Sequence, residues 1–110
     1  MVKKDMTFEN NLIQIGENAE ENDQLIMEAN QTDLWFHLSK FTSCHVVIAC
    51  SKKYPITQQM INHCCILVKE NTKYKNIPKI KVNYTEIKNV KRTEIKGTVI
   101  LNGKIRTITV

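Results

Sequence analysis

Two alternating apolar segments, separated by five residues, constrain the fold of this chain more than any other feature. In "DLWFHLS", residues 33–39, Leu34, Phe36 and Leu38 occupy every second position, and "HVVIACS", residues 45–51, alternates in the same way. Successive side chains of a strand point to opposite faces, so each segment predicts a strand with two unlike faces. The connection "KFTSC" is short enough for an antiparallel hairpin, and we expect the two strands to pair.

Two helices are predicted by capping residues and apolar periodicity. Asn18 stands in a capping position with Glu21 three residues later, which predicts a helix over residues 19–28. Thr57 precedes an apolar stripe of helical spacing, which predicts a second helix within residues 58–72. Stripes of this kind pack one face of a helix against a sheet.

Further strands are predicted toward both ends of the chain. Residues 12–15 form a short β-branched run, and residues 79–87 alternate. Within residues 98–110, Asn102-Gly103 indicates a type I′ turn between two strands. At 110 residues the chain is long enough for one core. The order β-α-β-β-α-β-β-β therefore predicts an α+β fold, a single domain with two helices packed on a largely antiparallel sheet.

Charge is divided unequally between the two halves of the chain. Residues 1–51 carry three lysines against eight acids, whereas residues 52–110 carry thirteen Lys or Arg against three acids. A basic segment of this kind favours a polyanionic partner such as nucleic acid. A solvated lysine-rich surface is an equally good explanation from charge alone.

The four cysteines lie in apolar segments without any CxxC pair, and we interpret them as small core side chains. A zinc site would have to be drawn from dispersed ligands, namely Cys44, His45, Cys50, His63 and Cys64. No glycine-rich phosphate loop or dinucleotide fingerprint occurs. The sequence therefore predicts no metal and no cofactor.

Neither a membrane span nor a secretory signal is expected. No apolar run approaches the roughly 20 residues that cross a bilayer. The first residues, "MVKKDMTFENN", contain two lysines but no apolar segment behind them. We expect a cytoplasmic protein that does not bind membranes.

The candidate functional residues fall into a set of rings and a set of cations. Trp35, His37 and His45 offer rings for base stacking or hydrogen bonding. The residues predicted to contact phosphates are Lys79, Lys81, Lys88, Lys91 and Arg92. Composition is equally compatible with buried rings and solvated lysines, so the pattern alone leaves both interpretations open.

Two other functions remain open from the residues. Asp33 and His37 share one strand face, and with His45 across the hairpin they would form a nuclease or hydrolase cluster. Cys44 and His45 are adjacent and point to opposite strand faces, which disfavours a nucleophile and base pair. The other alternative is a module that binds a protein partner through a sheet edge.

Five segments carry a resemblance to a known family. They are "IGENAEENDQL", "DLWFH", "HVVI", "VNYTEIKNVKR" and "KGTV". In order and spacing they resemble the NFACT-R domain, the RNA-binding module of NEMF and RqcH class ribosome-associated quality-control proteins and of short proteins that contain it alone. The resemblance covers residues 12–110, which leaves residues 1–11 as an N-terminal extension.

The resemblance implies an RNA-binding domain without catalytic activity, whose partner is tRNA, rRNA or the large ribosomal subunit. It implies that the glycines are backbone devices and that the asparagines tie down a helix start. Glu17 stands where the family often has a basic residue. The family-pattern positions are Gly16, Asn18, Asn22, Asp33, Trp35, His37, His45, Tyr84, Thr85, Lys91, Arg92 and Gly97.

Overall fold

Helices on both faces of an antiparallel sheet build the fold in residues 2–110, the part of the chain that the computed structural model describes. The strands are β1 Lys3–Asp5, β2 Ile13–Gly16, β3 Leu34–Leu38, β4 His45–Ile48, β5 Lys81–Glu86, β6 Val90–Arg92, β7 Val99–Leu101 and β8 Arg106–Thr109. The helices are α1 Ala19–Glu28 and α2 Gln58–Glu70, and a 3-10 turn covers Ile87–Asn89.

Six strands form the main sheet in the order β1-β2-β4-β3-β5-β8, with every neighbouring pair antiparallel. The predicted hairpin is confirmed, since β3 pairs with β4 and places Trp35 opposite Val47 and Phe36 opposite Val46. β6 and β7 form a separate two-stranded sheet. The predicted α+β class is therefore correct.

The alternation of β3 and β4 places a different core on each face of the sheet. Phe36 and Val46 face α2 and pack with Cys64 and Val68 of that helix. On the other face, Trp35 belongs to a second apolar cluster that α1 and the β6-β7 sheet cover. Because both faces are covered, neither side of the central strands is a solvent face.

Both predicted helix caps are present. The Oδ1 of Asn18 accepts a hydrogen bond of 2.9 Å from the N–H of Glu21 at the start of α1. The Oγ1 of Thr57 accepts one of 3.2 Å from the N–H of Met60 at the start of α2. These bonds satisfy backbone donors that the first helical turn leaves without an intrahelical partner.

The predicted hairpin at Asn102-Gly103 is wrong. β7 pairs with β6, and β8 pairs with β5 at the edge of the main sheet. Gly103 has a φ of 74°, but no residue other than glycine has a positive φ in residues 2–110, so a type I′ turn is not formed. Instead the N–H of Asn102 donates to the carbonyl oxygen of Asn89 at 2.8 Å, and the chain passes between the two sheets.

The sheet begins earlier in the chain than the sequence predicts. Residues 1–11 are predicted as an extension, whereas the structure pairs Lys3 with Ile15 and makes β1 the edge strand next to β2.

No helix in residues 2–110 has the length and apolar character required to cross a membrane.

Three of the four cysteines are core side chains, as predicted, and all four are free thiols. Cys44, Cys64 and Cys65 are buried, and burial raises the pKa of Cys44 to about 11 and that of Cys65 to about 12. Cys50 is half-buried, with its thiol 3.1 Å from the carbonyl oxygen of Thr32. Within residues 2–110, no three His, Cys, Asp or Glu side chains are grouped in a way that could hold a metal ion.

Candidate functional site

Three aromatic rings predicted as a functional set pack against one another on the α1 side of the sheet. The Nε1–H of Trp35 donates a hydrogen bond of 3.1 Å to Nδ1 of His45. The ring of His37 stacks on Trp35 with centroids 5.6 Å apart and planes 3° apart. His45 meets both rings edge to face, at 5.3 Å from Trp35 and 4.9 Å from His37. The three rings thus form one rigid cluster.

Hydrogen bonding fixes which nitrogen of each histidine carries a proton. Nδ1 of His45 accepts from Trp35, so the ring is neutral with its proton on Nε2. Burial, followed by the nearby His37, lowers the pKa of His45 to about 3. Nδ1 of His37 lies 2.7 Å from the carbonyl oxygen of Leu38 and donates to it, and burial lowers the pKa of His37 as well. His37 therefore keeps Nε2 as a hydrogen-bond acceptor at neutral pH.

The two histidines line a cleft of about 500 Å³, which we call the histidine cleft. Its walls come from the start of α1, the β3-β4 connection, the segment after α2 and the β6-β7 connection. The lining residues are Glu17, Asn18, Ala19, Asn22, His37, Thr42, Ser43, Cys44, His45, Asn71, Thr72, Lys73, Lys96, Gly97 and Thr98. Four connections that are distant in sequence therefore converge here.

Trp35 and His45, named from the sequence as rings for base stacking or hydrogen bonding, do not offer open ring faces. Trp35 is 1% exposed and His45 is 2% exposed, because α1 and the β6-β7 sheet cover this face of the main sheet. Neither ring can stack on a base without a rearrangement of the core. In this cluster His37 is the partly exposed ring, and Trp35 and His45 hold it in place.

Gly16 and Asn22 bring α1 close to the start of β4. A Cβ on Gly16 would lie 2.4 Å from Oδ1 of Asn22, so this position leaves no space for a side chain. That same Oδ1 accepts a hydrogen bond of 3.2 Å from the N–H of His45. Asn22 therefore ties α1 to the strand that carries His45.

Gly97 allows the β6-β7 connection to approach α1. It has a φ of 83°, in the left-handed region, and a Cβ here would lie 3.0 Å from Cα of Ala19. The turn and the close approach both require glycine. They bring Lys96 to the wall of the histidine cleft.

Asp33 lies away from the histidines. Its carboxylate accepts hydrogen bonds from the N–H of Asn30 at 2.9 Å and the N–H of Cys50 at 3.1 Å, and its side chain is buried. Four residues along a strand place it about 13 Å from His37. The hydrolase cluster expected from Asp33, His37 and His45 is therefore not assembled.

The predicted phosphate contacts do not converge on one site. Lys79 and Lys81 line a separate pocket of about 250 Å³ beside Phe41. Lys88 lies 3.7 Å from Glu86 and faces another groove.

Lys91 and Arg92 are on β6, and the Arg92 side chain is already engaged. It donates two hydrogen bonds of 2.9 Å to the carboxylate of Asp23 on α1. These bonds lower the pKa of Asp23 and raise that of Arg92. Arg92, which is predicted from the sequence to contact a phosphate, thus joins the β6-β7 sheet to α1.

Two cations of the histidine cleft, Lys73 and Lys96, were not predicted from the sequence. Lys96 could have been found from the sequence, because it directly precedes Gly97, which is a family-pattern position. Lys73 had no local signal, because it reaches the cleft through the packing of α2 on the sheet.

The fold and the histidine cleft together define a small α+β domain of a known type. The family model described as "NFACT protein RNA binding domain" matches residues 1–108. The chain therefore belongs to this family, as the resemblance in its sequence predicts.

The chain is also similar to parts of two longer proteins. It is 33% identical over 88 residues to "Coiled-coil domain-containing protein 25" of Mus musculus, a match that covers 74% of this chain and 41% of that protein. Its fold is similar to the structure of the C-terminal part of the fibronectin/fibrinogen-binding protein from Streptococcus suis, with a TM-score of 0.84, 23% identity, and coverage of 99% of this chain and 44% of the other. The chain spans less than half the length of both relatives.

Proposed function

We propose that this domain binds structured RNA, such as tRNA or rRNA, in translation or ribosome quality control, and that it acts by binding rather than by catalysis. The observation that carries the proposal is the convergence of family-pattern positions on one cleft. His37, His45, Asn18, Asn22 and Gly97 all line it, although they come from separate segments of the chain.

The chemistry of the cleft is suited to a sugar and phosphate backbone. The neutral His37 ring has an acceptor nitrogen, and a 2′-hydroxyl, which distinguishes RNA from DNA, is a donor that such a nitrogen can bind. Lys73 and Lys96 in the walls supply cations for phosphates. The acid in the lining, Glu17, lies 3.1 Å from Lys3, which offsets its charge.

A paired set of variants tests the proposal. Lys73→Ala/Lys96→Ala should lower the slope of log affinity against log salt for tRNA by about 1.4 to 1.8, because two phosphate contacts are lost. Lys73→Arg/Lys96→Arg is the matched control, since it keeps both positive charges in the walls of the cleft. Equal slopes for both variants and the wild type would reject the cleft as the RNA site.

His37→Ala adds a test of sugar recognition. We expect it to weaken binding of an RNA more than binding of the DNA of the same sequence. Equal weakening of the two would show that His37 does not bind the 2′-hydroxyl. The same samples, with labelled tRNA and a divalent metal, report cleavage; cleavage by the wild type that His37→Ala abolishes would contradict the non-catalytic role.

A further inference from the structure

A second groove lies at the opposite end of the sheet from the histidine cleft. It has a volume of about 670 Å³ and runs between the start of α2 at Gln58, the end of β5 at Glu86, and Lys104 in the β7-β8 connection. β3 joins the two sites, since Leu34 lines the groove and His37 lines the cleft. The ends of α2 also border the two sites, and 13 residues of helix span about 20 Å. The groove is therefore a separate site.

The floor of this groove is apolar. Leu34, Ile56, Ile61 and Tyr84 line it, and Tyr84 stacks on the buried Phe36 with ring centroids 5.3 Å apart. A surface of this kind is compatible with the flat face of a nucleobase, which is recognised by stacking and apolar contact.

The rim carries three cations, Lys88, Lys104 and Arg106, so we call this site the basic groove. Among the described residues that line it, Glu86 is the acid, and it lies 3.7 Å from Lys88. Lys104 and Arg106 are exposed and form no ion pair within residues 2–110. Two positive charges at the rim are therefore available to an anionic ligand.

A partly buried chain of hydrogen bonds fixes the segment that bears Lys104. The Oγ1 of Thr85 donates to the carbonyl oxygen of Lys104 at 2.8 Å and accepts from Nδ2 of Asn89 at 2.8 Å. The carbonyl oxygen of Asn89 also accepts a hydrogen bond from the N–H of Asn102. A Cβ on Gly103 would lie 2.6 Å from Oδ1 of Asn89. The rim is thus held by the fold, and this gives Thr85 a structural role.

We propose that the basic groove binds a single-stranded segment of the same RNA that occupies the histidine cleft. Bases contact the apolar floor, and phosphates contact Lys104 and Arg106. An unpaired segment is required because the bases of a duplex are stacked and cannot present their faces to the floor. At the roughly 3.4 Å per nucleotide of a stacked strand, the 20 Å between the sites corresponds to about six nucleotides. This inference rests on the proposed function.

The first test measures affinity for a tRNA with an unpaired 3′ extension. Lys104→Ala/Arg106→Ala should weaken binding roughly tenfold at 0.15 M salt and lower the salt slope by about 1.4 to 1.8. Lys4→Ala/Lys75→Ala removes two exposed lysines that line neither site and should change both quantities less. On the same tRNA without its unpaired extension, the groove variant and the control should differ little.

The second test uses Cys50, which lines the basic groove. The other three thiols are buried with raised pKa values, so an alkylating reagent modifies Cys50 selectively, and Cys50→Ser is the control for labelling. A single-stranded RNA oligonucleotide should slow alkylation of the wild type several-fold. Heparin, which is anionic but has no bases, should slow it less.

The outcomes separate this inference from the proposed function. Absence of salt-sensitive RNA binding by the wild type would overturn both. RNA binding by the wild type with normal affinity of the groove variant and no protection of Cys50 would overturn the groove alone. Equal protection by heparin and RNA would show that the groove binds anions in general and does not recognise bases, and this would overturn the proposal.

Discussion

The indole Nε1–H of Trp35 donates a buried hydrogen bond of 3.1 Å to Nδ1 of His45 on the neighbouring strand. Trp35 lies opposite Val47, so His45 is its diagonal neighbour across the β3-β4 pair. The bond holds His45 neutral in one tautomer and fixes the ring against which His37 packs. The geometry of the histidine cleft therefore depends on two residues that RNA need not touch.

Trp35→Phe should destabilise the protein by about 2 to 4 kcal/mol, because it leaves Nδ1 of His45 without a donor and a cavity where the larger ring was. Urea denaturation followed by far-ultraviolet circular dichroism measures this effect, since the variant lacks the chain's one tryptophan. Ile100→Ala, at a position 54% exposed, is the control and should cost less than about 1 kcal/mol. Equal destabilisation by the two substitutions would contradict the structural role of Trp35.

The free energy of unfolding should fall as the pH is lowered from 7.5 to 5. The pKa of His45 is about 3 in the folded protein and about 6.5 in the unfolded chain, so the unfolded state binds more protons in this window. Stability is therefore present above pH 6.5 and is lost below it, by about 2 kcal/mol at pH 5. The lowered pKa of His37 adds loss in the same direction.

Denaturation curves at several pH values check this prediction. His45→Gln should flatten the dependence, because the glutamine amide does not titrate and its oxygen can accept from Trp35. A wild-type stability that is constant between pH 7.5 and 5 would show that His45 is not buried in its neutral form.

The hairpin, the helix caps and the two strand faces were predictable because they depend on local signals. Alternation assigned Trp35 and Phe36 to opposite faces of β3, and Asn18 marked the start of α1. Alternation does not say what covers each face. The burial of Trp35 follows from the packing of α1 and the β6-β7 sheet, which no local pattern encodes.

The C-terminal strands were mispredicted for a related reason. Asn102-Gly103 is a strong hairpin signal, but Asn102 bonds to Asn89, and Thr85 bonds to Lys104, both through long-range contacts. These bonds separate β7 from β8 and place them in different sheets. The basic groove was not predictable for the same reason.

Gly16→Ala should destabilise the protein by about 2 to 4 kcal/mol, because the new methyl group overlaps Oδ1 of Asn22 and disrupts its hydrogen bond to His45. A double-mutant cycle with Asn22→Ala isolates this contact. In the Asn22→Ala background, Gly16→Ala should cost less than in the wild type, since the clashing oxygen is absent. If urea denaturation shows additive effects of the two substitutions on the free energy of unfolding, the destabilisation by Gly16→Ala does not come from its contact with Asn22.

We expect Arg92 to have a structural role and Lys91 to contact RNA. Arg92→Ala should lower the Tm, because it breaks the two hydrogen bonds to Asp23 that join β6 to α1. Asp23→Ala should lower it similarly, and the double variant should lose less than the sum, since both substitutions remove one interaction. Additive Tm changes would show that the pair does not act as a unit.

Lys91→Ala provides the comparison for RNA binding. Lys91 is exposed and neighbours Arg92 on β6, so its removal should leave the Tm unchanged. If it contacts a phosphate, the salt slope for tRNA falls by about 0.7 to 0.9. Asp23→Ala frees the Arg92 guanidinium, and this variant should keep the wild-type salt slope or increase it while its Tm falls. A wild-type salt slope for Lys91→Ala would show that Lys91 does not contact a phosphate, and a lower slope for Asp23→Ala would show that the freed Arg92 guanidinium does not gain such a contact.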